Sequence, residues 1–118
     1  MDYLSTRDKT LALSAAEAIK MGLSRDGGLF TPARFPSISP LELEVMCEMS
    51  YQQRCAYVMG LFLDDFTPEE VSDFALRAYG PEKFDDPAVA PLRRVGGKTW
   101  CLELWHGPTS AFKDMALQ

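Results

Sequence analysis

The chain has 118 residues, 47% hydrophobic and 25% charged, the balance of a soluble globular protein with a small core. Its net charge of −5 argues against nucleic acid or an anionic membrane surface as partner, while leaving room for a local cationic pocket. No apolar run approaches a membrane span, the first residues carry no secretory pattern, and Cys47, Cys55, Cys101 and a single histidine offer no metal-ligand spacing; reduced thiols, a cytoplasmic location and no metal site are expected.

Residues 3–6 read as a short β segment. Arg7 with the hydroxyls of Ser5 and Thr6 suits either a phosphate grip or an edge strand followed by a solvated arginine. Ser14-Ala15-Ala16-Glu17 is a capping box, and the helix it opens sets Ala15, Ala18, Ile19 and Gly22 on one face before ending near Gly22 or Leu23. Asp26-Gly27-Gly28 is a turn, and residues 29–31 are at most a short strand stopped by Pro32.

Three further helices follow. Ser39-Pro40 gives a cap with proline at the first helical position, ahead of an apolar stripe of Leu41, Val45, Met46 and Met49. Ser50-Tyr51-Gln52-Gln53 is a second capping box; Tyr51, Cys55, Val58, Met59 and Phe62 recur at helical spacing, with Met59 and Phe62 expected in the core and Asp64-Asp65 as a solvated end. Thr67-Pro68-Glu69-Glu70 is a third box, Val71, Phe74, Ala75, Ala78 and Tyr79 the buried stripe, and Gly80-Pro81 the stop. Residues 82–90 are acidic and aperiodic, the best candidate linker. Residues 91–95 and 98–105 flank Gly96-Gly97 as a hairpin with a primed turn; the second strand, apolar on both faces apart from Glu103, should be central in a sheet that needs more strands than this chain supplies.

That strand runs into His106-Gly107-Pro108-Thr109, where glycine and proline break it. Ser110 or Thr109 would cap a helix starting at about Ala111, which places Lys113 in the first turn. A cation there opposes the helix dipole, which favours the neutral amine that attacks carbonyls; the plain alternative is a solvated lysine. His106 suits either a phosphate or carboxylate contact, or a structural role.

Leu102-Glu103-Leu104-Trp105-His106-Gly107-Pro108-Thr109 followed by Ala111-Phe112-Lys113-Asp114 resembles the signature of threonine synthases. These belong to the pyridoxal-phosphate fold type of tryptophan synthase β chains and cysteine synthases. Two further strings resemble the same family: Tyr3-Leu4-Ser5-Thr6-Arg7 and Asp26-Gly27-Gly28-Leu29 after a helix. The resemblance implies that Lys113 forms the Schiff base with pyridoxal 5′-phosphate. It also implies that O-phospho-L-homoserine loses phosphate and gains water to give L-threonine, with the freed lysine amine moving protons. Phe112 would pack under the lysine or stack on the cofactor, and Asp114 would orient the helix start. Ser5, Thr6, Arg7 and His106 are the candidates for the substrate phosphate.

The expected fold is α+β: a mostly helical N-terminal domain with short strands over residues 1–90, then the start of an α/β fold-type II catalytic domain over 91–118. The chain stops inside an apolar stretch soon after Lys113, which suggests an N-terminal piece of a longer enzyme, inactive alone. The glycine-rich phosphate loop and the residue facing the pyridine nitrogen would lie beyond Gln118. Trp100, Leu102, Trp105 and Phe112 should be exposed, inviting self-association or partial disorder. Two alternatives stand beside this reading: a related phospho-lyase releasing 2-oxobutyrate, and a non-catalytic interaction module.

Overall fold

A computed structural model describes residues 1–118. Short polar caps set the helices. Ser14, Ser39, Ser50 and Thr67 cap α1 (Ala15–Met21), α2 (Pro40–Cys47), α3 (Tyr51–Gly60) and α4 (Pro68–Ala78). In each, the cap oxygen accepts an amide in the first turn while Glu17, Glu42, Gln53 or Glu70 reaches back to the cap amide. Each such cap is worth about 1 kcal/mol. The box at Ser39 goes beyond the Ser-Pro start that the sequence suggests; Glu42 completes it and also accepts the Tyr57 hydroxyl at 2.6 Å, tying α2 to α3.

The N-terminal strands form a three-stranded antiparallel sheet in the order β2-β1-β3, with β1 Tyr3–Ser5, β2 Ala12–Leu13 and β3 Phe30–Pro32. Tyr3 faces Leu13 on one side and Pro32 on the other. The edge-strand reading of β1 is therefore corrected: it is central, because the two-residue β2, too short to carry a pattern, folds back on it.

The core lies where α1, α3 and α4 meet the sheet. Ala15, Leu63 and Val71 are buried together, with Tyr3, Ala56 and Phe66 packed around them. The Tyr3 hydroxyl donates to the Phe62 carbonyl at 3.0 Å. Asp64-Asp65 is not a merely solvated end. Asp65 accepts the Ala16 amide at 2.8 Å, where a carboxylate suits the α1 N-terminus, and Asp64 pairs with the Met1 ammonium. Three apolar stripes are less buried than their spacing suggests. Leu41 and Val45 of α2 are 70% and 54% exposed, Met59 of α3 is 42% exposed rather than core, and Phe74 of α4 is 39% exposed. Helical spacing reports a face; burial also needs a neighbour to cover it.

The stretch expected as a linker is packed. Phe84 and Val89 are buried, and Phe84 stacks at a tilt on Tyr79. Val89 holds a left-handed φ of 60°, which is costly for a β-branched residue. The hairpin follows as β4 (Leu92–Gly96) and β5 (Thr99–Leu102). Gly96 pairs with Thr99, so the turn residues are Gly97-Lys98, one position later than expected; Gly97, at φ 52°, supplies the left-handed conformation. β5 ends at Leu102 and pairs with β4 alone in a two-stranded sheet, which leaves Trp100 and Leu102 about half exposed. No helix is long and apolar enough to cross a membrane.

Candidate functional site

Beyond β5 the chain stays extended through His106. The Glu103 amide donates to the Pro91 carbonyl at 3.0 Å, and the Asp85 amide to the His106 carbonyl at 3.1 Å. Then the chain turns, with the Ser110 amide bonded to the Gly107 carbonyl at 3.1 Å. A short helix, α5 (Asp114–Leu117), ends the segment. It starts later than Ala111, and neither Thr109 nor Ser110 caps it. Ser110 sits at φ 56°, whereas a cap residue needs extended backbone.

The organising group is Asp114. It is 2% exposed, and its carboxylate accepts the Thr109 amide and the Thr109 hydroxyl, both at 2.9 Å. Burial pushes the Asp114 carboxyl up, but the bonds from Thr109 and the Ala111 backbone outweigh it and hold the carboxyl below its ordinary value. Gly107 lies against this side chain; a Cβ on it would come within 2.5 Å of the Asp114 Cβ. Any larger residue at 107 would prise the turn from the aspartate. The expected role of Asp114, orienting the start of the helix, is what this geometry does. From the helical side, the Tyr79 hydroxyl donates to the Met115 carbonyl at 2.7 Å and anchors α5 to the end of α4.

Lys113 occupies the position just before α5, not its first turn. It is exposed and enters none of the ion pairs. The expected first-turn placement is thus corrected by one position. What the fold provides instead is an amine with no competing partner on a backbone fixed by its buried neighbour. Phe112, beside it, is 66% exposed and lines an apolar groove of about 720 Å³ with Leu102, Leu104, Pro91 and Met115.

His106 is half-buried between two carboxylates. Nδ1 lies 2.6 Å from Asp85 and Nε2 2.8 Å from Glu103. The hydrogen bond to Glu103, then that to Asp85, holds the imidazole pKa above its ordinary value. Both ring nitrogens are thus engaged within the chain. Neither partner was read from the sequence; Glu103 is three residues back and Asp85 twenty-one.

Ser5, Thr6 and Arg7 come together, but around the Asp26-Gly27-Gly28 turn. The Ser5 hydroxyl, 1% exposed, donates to the Asp26 carboxylate at 2.9 Å. Thr6 Oγ1 accepts the Leu29 amide at 3.0 Å, and Arg7 Nη1 donates to the Asp26 carbonyl at 2.9 Å. The Gly28 amide donates to the same carboxylate, which is held below its ordinary pKa chiefly by that bond. Sequence reasoning missed Asp26 as the hub of this turn, although an aspartate two residues before a glycine is the usual partner of that amide.

Residues 2–79 match the family model described as the threonine synthase N terminus. Over its whole length the chain is 37% identical to threonine synthase of Corynebacterium glutamicum, covering 26% of that protein, and 38% identical to that of Pseudomonas aeruginosa, covering 25%. The crystal structure of PLP-bound threonine synthase from Brucella melitensis superposes with a TM-score of 0.89 at 34% identity, over 97% of this chain and 24% of that one. The chain spans about a quarter of the length of the curated relatives it matches.

Proposed function

The chain belongs to the threonine synthase family, and from that membership we propose that it is the N-terminal part of a cytoplasmic pyridoxal-phosphate enzyme converting O-phospho-L-homoserine and water to L-threonine and phosphate. The observation that carries the reading is Lys113: exposed, free of ion pairs, and set on a backbone that Asp114, Thr109 and Gly107 hold in place. When bound, the cofactor supplies an electron sink for the substrate's carbon skeleton. Lys113 supplies the amine that carries it. The same amine would take and return protons at the substrate carbons, as general base and acid. Phe112 and the apolar residues around it offer one wall against which an aromatic ring can rest.

In this reading residues 1–90 are the helical N-terminal domain and 91–118 the start of the catalytic domain. The groups that hold the cofactor's phosphate and face its ring nitrogen are assigned to the remainder of the enzyme. Ser5, Thr6 and Arg7 brace the Asp26 turn, each with a hydrogen bond to it or to the strand that leaves it. The 118 residues alone are inactive, since nothing in them covers Lys113 from water.

Incubating the full-length protein with O-phospho-L-homoserine and identifying the products tests the reading. Threonine and phosphate in equal amounts support it. 2-Oxobutyrate with phosphate would make the enzyme a phospho-lyase instead, and no phosphate release at all would remove both.

A further inference from the structure

The imidazole of His106 faces carboxylates on both sides, and this has a consequence for the lysine seven positions on. A neutral imidazole has one donor and one acceptor, whereas Asp85 and Glu103 both need donors. The 2.6 and 2.8 Å separations are those of charge-assisted hydrogen bonds to an imidazolium. Asp86 adds a further negative charge nearby. Arg93 of β4 stands 3.2 Å from Asp86 and 3.7 Å from Glu103, and so ties both acids to the hairpin. The Trp105 ring stacks on His106 at 5.6 Å between centroids. The Asp85 amide also bonds the His106 carbonyl, so main chain and side chain join the same two residues.

This clamp ends where the lysine turn begins. Gly107 follows His106 directly and lies against Asp114, whose carboxylate holds Thr109 and whose backbone continues from Lys113. The clamp therefore fixes the entry to the turn, and Asp114 fixes its exit.

We propose that His106, as an imidazolium bridging Asp85 and Glu103, is a positioning residue for Lys113. The inference rests on the reading of Lys113 as the cofactor-bearing lysine. The sign of its pH dependence follows from the geometry. The bridge is complete below the ordinary histidine pKa, near 6.5. It opens as pH rises through the elevated value in the folded protein, because one carboxylate then faces a lone pair. Misplacement of a reacting group by about 1 Å costs on the order of 100-fold in rate.

The test uses the full-length holoenzyme with isotope-labelled histidine, the His106 resonance being assigned by its absence from His106→Asn. Borohydride reduction and peptide mass analysis of the wild type first establish whether Lys113 carries the cofactor. An unmodified Lys113 removes the functional reading and this inference with it. Given a modified Lys113, His106 should titrate above pH 6.5, and His106→Asn should lose roughly 10- to 100-fold in kcat with KM within about twofold. Asp85→Asn, at an exposed position, should lower the His106 titration midpoint and the alkaline limb of kcat by the same amount. Wild-type kcat in His106→Asn, or an alkaline limb that stays put while the His106 resonance moves in Asp85→Asn, would overturn the inference and leave the function standing. Should His106→Asn fail to fold, Asp85→Asn decides.

Discussion

Asp26 and Asp114 each accept a backbone amide and a hydroxyl, from Gly28 and Ser5 in one case and from Thr109 in the other. Each lies against a glycine, Gly28 or Gly107, where a Cβ would collide with neighbouring side-chain atoms. Each has a basic residue close by in its motif. The difference lies in what that cation does. Arg7 is spent on the Asp26 carbonyl, closing the N-terminal turn on itself. Lys113 has no partner, and the C-terminal turn presents it outward. The same local device makes a brace in one place and, in the proposed reading, the mount of the cofactor lysine in the other. Whether the cation is used up decides which.

The largest expected effect separates the two cations. Lys113→Ala in the full-length enzyme should lower turnover by at least roughly 10²- to 10⁴-fold, the range for loss of a general acid–base, with folding stability changed by no more than about 0.5 kcal/mol. Arg7→Ala should instead leave KM for the substrate within about twofold and lower stability by about 1 kcal/mol, through the lost bond to Asp26. A large rise in KM for Arg7→Ala would return Arg7 to the substrate phosphate and break the contrast.

The two glycines come next. Gly107→Ala and Gly28→Ala should each cost about 1–3 kcal/mol by overpacking, read from denaturant midpoints. Only Gly107→Ala should also reduce the fraction of Lys113 trapped with cofactor. Equal trapping in both variants would mean that the Asp114 turn does not position the lysine.

A subtler difference lies in pH. Both aspartates have carboxyls held below the ordinary value, so their contribution is present above about pH 4 and lost as pH falls through that value toward the lowered ones. His106 is held above its ordinary value, so the C-terminal turn alone should also loosen as pH rises from about 6.5. Hydrogen-exchange protection, corrected for intrinsic rates, should fall at acid pH for both the Gly28 and Thr109 amides, and at alkaline pH for Thr109 only. The smallest effect is a control: Thr67→Ala should cost about 1 kcal/mol through the α4 cap and leave both turns unchanged.

The helices were legible because their start signals are local. Ser14 with Glu17, Ser50 with Gln53 and Thr67 with Glu70 lie three residues apart, and nothing distant is needed to close them. The sheet was less legible: β2 is two residues long, and only its pairing with β1 reveals it. At the C-terminal turn, Ser110 and Thr109 carried a plausible cap signal that lost to Asp114. Once Asp114 holds Thr109, Ser110 is left in the left-handed region and cannot cap. The His106 bridge needed Asp85 from 21 residues away, a pairing that no spacing rule supplies. Lys113 itself was singled out through its motif, since a solvated lysine and a reactive one look alike in composition and spacing.

The most direct measurement is borohydride reduction of the full-length protein, followed by proteolysis and mass analysis of the peptide containing residues 112–114. A pyridoxyl adduct on Lys113, accompanied by loss of the visible absorbance band, is the expected result. A protein that carries the cofactor on another lysine, or none at all, would contradict the assignment and leave the Asp114 turn as a brace like its N-terminal counterpart.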